Sequence, residues 1–511
     1  MSIRISLDKP PEFYTNLDLL SGRVILNLTR PETVGNIIVK LEGESQTALV
    51  LPPPGQRDDY NTGNEIVSEN HKILYKVFQV YPDDGVALLL QPGTHEFKFN
   101  FKLPLNNICH DVKALLSAGA GAGVMGRGGI RTMDPTKQMM LLHLKSTLPP
   151  SITGFPRQAE VRYYIKVTIQ RPSMFKENWR YSLGLKFLPI EPPRPKTSTQ
   201  EAFARRPFAF KPRTPLNPLK KPFFSKSSSS TPDPNAILPS IEMSCRLPHP
   251  SILTCNEPLP LRIISKKLAA ANEQIYLSAL EVALIGHTHI RVHSLEHVER
   301  NTWIVVSAMN LSIALGKAND AVGTEFEIPS TIWAARRLPN TVSPSFKTCN
   351  LARRYELEVR ISLSWGKAGA LPQVITLPLK MSKIEIYSGI KPPTQLLQTA
   401  TVQPATSSRP FPSTASTSSQ RPVNTNGNAS SAPRPPPRPA AGGAPSQPPR
   451  PADPLYPPQL GPGNVLGDDD APPPSYDEAM AESLSGPQER PAYSGITAEN
   501  SPSTMPGEKG R

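Results

Sequence analysis

The sequence predicts an all-β fold: two tandem immunoglobulin-type β-sandwich domains followed by a disordered Pro-rich tail. Three observations carry this. Apolar residues recur with a period of two through two long blocks, the signature of half-buried strands. Gly, Pro and Asn turns bound those runs, and no long amphipathic helical stretch competes with them. The 61 prolines among 511 residues are over twice the usual share. They crowd between Glu191 and Pro239 and after Lys391, outside the two blocks.

The first block covers 1–190. Ile3, Ile5 and Leu7 alternate with Arg4 and Ser6; Val24, Leu26 and Leu28 follow a Ser21-Gly22 turn; Ile37, Val39 and Leu41 alternate with Lys40 and Glu42. From His95 to Leu103, Phe97, Phe99 and Phe101 share one face, with charged residues among those on the other. Val161, Tyr163, Ile165, Val167 and Ile169 repeat the pattern. Such alternation fits antiparallel sheets with one dry face. An Ala/Gly-rich insertion interrupts the block at 113–138.

A linker is expected over 191–235, basic and rich in Pro and Ser, with Arg205-Arg206 and Lys220-Lys221. Three readings stay open for it: a membrane-surface patch, each cation contributing about 1 kcal/mol near anionic lipid; a phosphorylation-tuned switch; or a solvated connector. The second sandwich is expected over 236–388. Leu259, Leu261 and Ile263 form one strand, and Leu280, Val282 and Leu284 another. Tyr355, Leu357, Val359, Ile361 and Leu363 form the cleanest. Beyond it, 389–511 loses periodicity and reads as a disordered tail carrying short linear motifs.

Lys and Arg total 56 against 42 Asp and Glu, a net charge of +14, which favours acidic partners or an anionic membrane face. Nucleic acid is not expected, because basic strands with interleaved stacking aromatics are missing. Cys109, Cys245, Cys255 and Cys349 lie far apart without a Cys-x-x-Cys pair. That argues against a zinc site and a disulfide framework, and fits idle thiols in a reducing compartment. His287, His289, His293 and His297 have no cysteine or carboxylate at helical zinc spacing. Gly121 to Gly126 has dinucleotide-binding spacing but no strand–helix context. No metal, no cofactor and no catalytic residue is assigned, and the chain is not expected to be an enzyme. The N-terminus lacks a signal-peptide core, and no uncharged apolar run approaches the ~20 residues of a membrane span. A cytoplasmic protein is expected.

The most specific motif lies in the tail. Pro473-Pro474-Ser475-Tyr476 spells Pro-Pro-x-Tyr, a polyproline II ligand for the aromatic groove of a WW domain. Pro473 and Pro474 would pack on the groove aromatics and Tyr476 would fill a second pocket. Pro454 with Tyr456, and Pro491 with Tyr493, are half-motifs lacking the leading proline. They flank the full motif by about 20 residues, a flexible reach of about 25 Å that would suit a tandem WW array. Pro433, Pro436 and Arg438, and again Pro445, Pro448 and Arg450, fit the Pro-x-x-Pro-x-Arg ligand of Src-homology-three domains.

The chain resembles the α-arrestins, arrestin-domain-containing trafficking adaptors. Leu7-Asp8-Lys9-Pro10, Leu20-Ser21-Gly22-Arg23-Val24, Val39-Lys40-Leu41-Glu42-Gly43 and Pro92-Gly93-Thr94-His95-Glu96-Phe97-Lys98-Phe99 carry the resemblance. Leu148-Pro149-Pro150-Ser151 and Val161-Arg162-Tyr163-Tyr164 complete it. The resemblance implies that both sandwiches are arrestin-like. It implies that they recognise a membrane transporter or receptor cargo from the cytosolic side, at the plasma membrane or endosomes. It implies that Pro473, Pro474 and Tyr476 recruit a WW-domain HECT ubiquitin ligase, so that ubiquitin is attached to the cargo and endocytosis follows. The competing reading is a ligase-independent trafficking or signalling scaffold that binds Src-homology-three partners.

Overall fold

A computed structural model of the chain describes residues 1–51, 65–81, 87–109, 143–155, 158–172, 177–196, 198–211, 237–365, 373–397, 483–487 and 489–495. Among these residues nearly all regular structure is β-strand, arranged as two β-sandwiches. No helix among them is long and apolar enough to cross a membrane.

The first sandwich begins with β1 (Ser2–Leu7), β2 (Leu19–Leu28), β3 (Glu32–Val34), β4 (Asn36–Leu51) and β5 (Glu65–Tyr81). It continues with β6 (Leu88–Leu90), β7 (Gly93–Lys102), β8 (Ile152–Phe155), β9 (Ala159–Gln170) and β10 (Trp179–Leu185). One sheet runs β1-β2-β7, and the facing sheet runs β10-β9-β4-β5 with β8 on β9. The alternation read from the sequence sets the faces. Val24, Leu26, Ile37, Val39, Leu41, Phe99, Phe101, Ile165 and Val167 all enter one core. Burial of such a side chain contributes about 1.5–3 kcal/mol, so the period-two pattern fixes the register.

The second sandwich has β11 (Glu201–Ala209), β12 (Ser240–Pro248), β13 (Ile252–Thr254), β14 (Arg262–Lys267), β15 (Ile275–Val292) and β16 (Leu295–Ala308). It is completed by β17 (Ile313–Ala314), β18 (Glu325–Glu327), β19 (Phe346–Lys347), β20 (Leu351–Trp365) and β21 (Gln373–Tyr387). One sheet runs β11-β12-β14-β18 and the other β13-β21-β20-β15-β16. Ile290 of β15 and Leu351 of β20 pack into the first sandwich's core, so the two bodies share apolar surface.

Two expectations need correction. The expected linker contains β11, which pairs antiparallel with β12 from Glu201 opposite Pro248 to Ala209 opposite Ser240. Ala202, Ala204 and Phe208 pack against the second core. Arg205, Arg206 and Pro207 disguise this alternation. They suit the outermost position, where charge and proline block further pairing. The expected disordered tail also contains ordered chain: Ile390 and Leu484 are buried against the sandwiches.

The facing of β15 and β16 yields a test. Leu284 is fully buried in the second core, whereas Ile304 on the neighbouring strand is exposed. Leu284→Ala is expected to cost about 2–5 kcal/mol. Ile304→Ala should stay within about 0.5 kcal/mol. Urea denaturation followed by tryptophan fluorescence would read both.

Candidate functional site

The parts of such a body that can work are its joint, its charged faces and whatever docks on them. At the joint, β4 turns Ser45 and Thr47 towards the second sandwich. Ser45 Oγ donates to Asn350 Oδ1 (2.7 Å), and Asn350 Nδ2 donates back to the Ser45 carbonyl (3.0 Å). Thr47 Oγ1 donates to the Arg291 carbonyl (2.7 Å). The fully buried Glu69 of β5 accepts hydrogen bonds from Arg291 Nη2 (3.0 Å) and from the His293 backbone N–H.

On the face of β4 turned away from the core, Glu42 and Glu44 share the Lys72 ammonium and the Tyr164 hydroxyl. Arg162 Nη2 reaches Glu44 at 3.0 Å. Burial opposes ionisation of Glu44, but Lys72 and Arg162 outweigh it and hold the carboxyl at about 2. Burial pushes the neighbouring Lys166 ammonium down. This cross-strand cluster is a fixed charged patch on the first sandwich.

A segment of the tail, described over 483–487 and 489–495, lies across the loop before β2 and the 340 loop of the second sandwich. Arg490 donates to the Phe13 carbonyl (2.9 Å) and to Asp18 Oδ1 (2.6 Å). Burial pushes the Asp18 carboxyl up, and the Thr15 N–H and Arg490 pull against that shift. Gly486 passes so close that a Cβ there would strike Asp18 Oδ1. The Tyr493 ring packs on Phe13 (centroids 5.9 Å) and under the Lys186 ammonium, which also donates to its hydroxyl (2.6 Å). Asn340 Nδ2 donates to the Ala492 carbonyl (2.8 Å) and Asn340 Oδ1 accepts the Ser494 N–H (2.7 Å). The segment therefore straps both sandwiches.

The structure thus places Pro491 and Tyr493 in the strap. Pro473, Pro474, Tyr476, Pro454, Tyr456, Pro433, Pro436, Arg438, Pro445, Pro448 and Arg450 lie outside the described residues. The strap contacts, Asp18 with Arg490 above all, carry no signal in the sequence, since their partners stand hundreds of positions apart. The cysteine reading is incomplete for the same reason. All four thiols are free and buried, but Cys109 and Cys349 meet with Sγ atoms 3.1 Å apart, beside His71 and His143. The hydrogen bond with Cys109 pulls the Cys349 thiol down against the effect of burial. Among the described residues, His71, His143 and Cys349 form a set able to hold a metal ion. Two histidines of the β15–β16 hairpin instead face carboxylates, His297 beside Glu299 at 3.0 Å and His287 beside Glu356 at 3.8 Å.

Residues 3–110, from β1 to the loop after β7, match the family described as arrestin (or S-antigen), N-terminal domain. Two curated relatives are both named "Arrestin-related trafficking adapter 10". The one from Lachancea thermotolerans is 26% identical over 123 residues, covering 21% of this chain and 28% of the relative. The one from Candida glabrata is 29% identical over 119 residues, covering 20% and 23%. The similarity spans about a quarter of each relative's length.

Two measurements check this geometry. The folded value for Glu44 lies below its ordinary 4.5. Its contribution to stability is therefore complete above about pH 4.5 and lost as pH falls towards about 2. Urea midpoints should decline across that window. Lys72→Met, which leaves two buried carboxylates short of a cation, should cost roughly 3–5 kcal/mol at neutral pH. For the strap, Arg490→Ala removes hydrogen bonds worth about 1.5–3 kcal/mol each. Hydrogen exchange across 483–495 should then accelerate at least about tenfold.

Proposed function

We propose that this chain, a member of the arrestin family of the α-arrestin type, is a non-catalytic trafficking adaptor that brings a WW-domain HECT ubiquitin ligase to membrane cargo. The observation that carries this reading is the presence, in one chain, of an arrestin N-terminal domain and the Pro473-Pro474-Ser475-Tyr476 motif. The names of the two relatives support the trafficking role.

The division of labour follows from the chemistry. The sandwiches offer rigid faces of mixed charge, suited to the cytosolic segments of a transporter or receptor. The net charge of +14 favours work beside an anionic leaflet. The motif supplies a preordered ligand whose docking loses little conformational entropy. Tyr476 stands seven positions before Ser483 in the sequence, and that much chain, fully extended, spans at most about 25 Å. A ligase held at the motif would stay close to the body that holds the cargo, so ubiquitin would be delivered to that cargo and to the adaptor itself.

Titrating WW domains with the full chain tests this. Tyr476→Ala deletes the side chain that fills the second pocket and should weaken binding by about 2 kcal/mol, roughly thirtyfold. Unchanged affinity would sink the ligase reading. The Pro-x-x-Pro-x-Arg segments favour a second reading, a scaffold for Src-homology-three partners. Pull-downs that depend on Arg438 and Arg450, and not on Tyr476, would establish the scaffold instead.

A further inference from the structure

Where the loop after β7 meets the second sandwich, four metal-ligating side chains converge from distant parts of the chain. His71 comes from β5. Cys109 follows Ile108, whose N–H donates to the Ile73 carbonyl (3.0 Å). His143 belongs to the returning segment, which Asn107 grips by donating to the Leu144 carbonyl (2.9 Å) and accepting the Ser146 N–H (3.1 Å). Cys349 stands on the turn before β20, where the Arg291 guanidinium holds its carbonyl. Three of the four belong to the first sandwich and one to the second.

We propose that His71, His143 and Cys349, with Cys109 in the fourth position, form a zinc site that fastens the two sandwiches together. Four features support this independently of one another. The ligand atoms of His71, His143 and Cys349 lie within 4.8 Å of one another. Tetrahedral zinc with bonds of about 2.0–2.3 Å needs ligand atoms about 3.3–3.8 Å apart. Those three therefore close by movements of about 1 Å; Cys109, which touches Cys349 at 3.1 Å but lies outside that set, has further to move to fill the fourth position. The imidazole of His71 is set for a metal. Its Nε2 bonds to Glu69 at 2.6 Å, while its buried Nδ1 has no oxygen or nitrogen partner and is left to the Cys349 thiol. A carboxylate on the far nitrogen is the usual partner that fixes a ligating histidine.

The sulfurs are also prepared. Leu144 N–H donates to Cys349 Sγ (3.2 Å) and Asn107 Nδ2 to Cys109 Sγ (3.4 Å). Donors of this kind stabilise metal-bound thiolate. Finally, the donor set is soft. Two thiolates and two imidazoles select zinc over magnesium or calcium. Binding exchanges the two thiol protons for the two Zn–S bonds, and the thiolate charges neutralise the ion. A disulfide between Cys109 and Cys349 is the rival chemistry, but it would need an oxidant and gives the two imidazoles no part.

The full chain, purified and desalted, should carry about one zinc by elemental mass spectrometry. A chelator should lower its melting temperature, and added zinc should restore it. Replacing zinc with cobalt should produce thiolate-to-cobalt charge-transfer absorption and the strong visible bands of a tetrahedral ion. Cys349→Ser and the half-buried His143→Gln should each bring zinc to background and abolish the cobalt bands. Cys255→Ser, in the second core, should retain both. Glu69→Gln should weaken zinc roughly 10- to 100-fold, as loss of a supporting carboxylate does. If Cys349→Ser fails to fold, His143→Gln and the cobalt spectrum of the unaltered chain decide. Background zinc in the unaltered chain overturns the proposal. So does zinc retained by both ligand variants, or a Cys109–Cys349 disulfide in non-reducing peptide mapping.

Discussion

Glu69 is buried where the two sandwiches meet, and it accepts hydrogen bonds from Arg291 and His293 on one side and from His71 on the other. A carboxylate so placed has no water to turn to, so separating the sandwiches would strand a charge in low dielectric. Ser45, Thr47 and Asn350 add neutral hydrogen bonds to the same joint. Directional polar groups fix an orientation in a way that the Ile290 and Leu351 apolar contacts alone do not. The rest of the architecture depends on that fixed angle.

The strap shows the dependence. Arg490 and Tyr493 hold the first sandwich through Asp18, Phe13 and Lys186, while Ala492 and Ser494 hold the second through Asn340. Consecutive residues can reach both bodies only if the crease between them keeps one width. The joint thus creates the groove in which the tail lies, and the tail adds a second tie across the seam. Each side of that bargain rests on buried polar pairing, which is strong only while every partner is present.

Strand identity was legible in the sequence because a sheet with one dry face forces alternation, and β2, β4, β9 and β20 alternate cleanly. β11 was not legible, because Arg205, Arg206 and Pro207 at a sheet edge look like linker chemistry. The ordered tail was missed for a different reason. Composition describes an average, and the few anchors at Leu484, Arg490 and Tyr493 are diluted by prolines around them. The cysteine and histidine cluster was invisible in principle. Spacing rules detect ligands that share one local element, and Cys109 and Cys349 are 240 positions apart. The proline motifs of the tail are readable as sequence alone, since a polyproline segment needs no fold around it.

Those motifs do not all compete on equal terms. A segment tethered to its own binding groove sees that groove at an effective concentration on the order of millimolar. The Tyr493 ring, the group its half-motif would insert into a WW domain's second pocket, is engaged by Phe13 and Lys186. An outside domain would have to displace those contacts and the Arg490 pair, while gaining less than it does from a ligand with the leading proline. The motif of Pro473, Pro474 and Tyr476 carries that leading proline. The Tyr493 motif therefore ties the tail to the body, whereas the proposed function assigns Pro473, Pro474 and Tyr476 to a partner in trans.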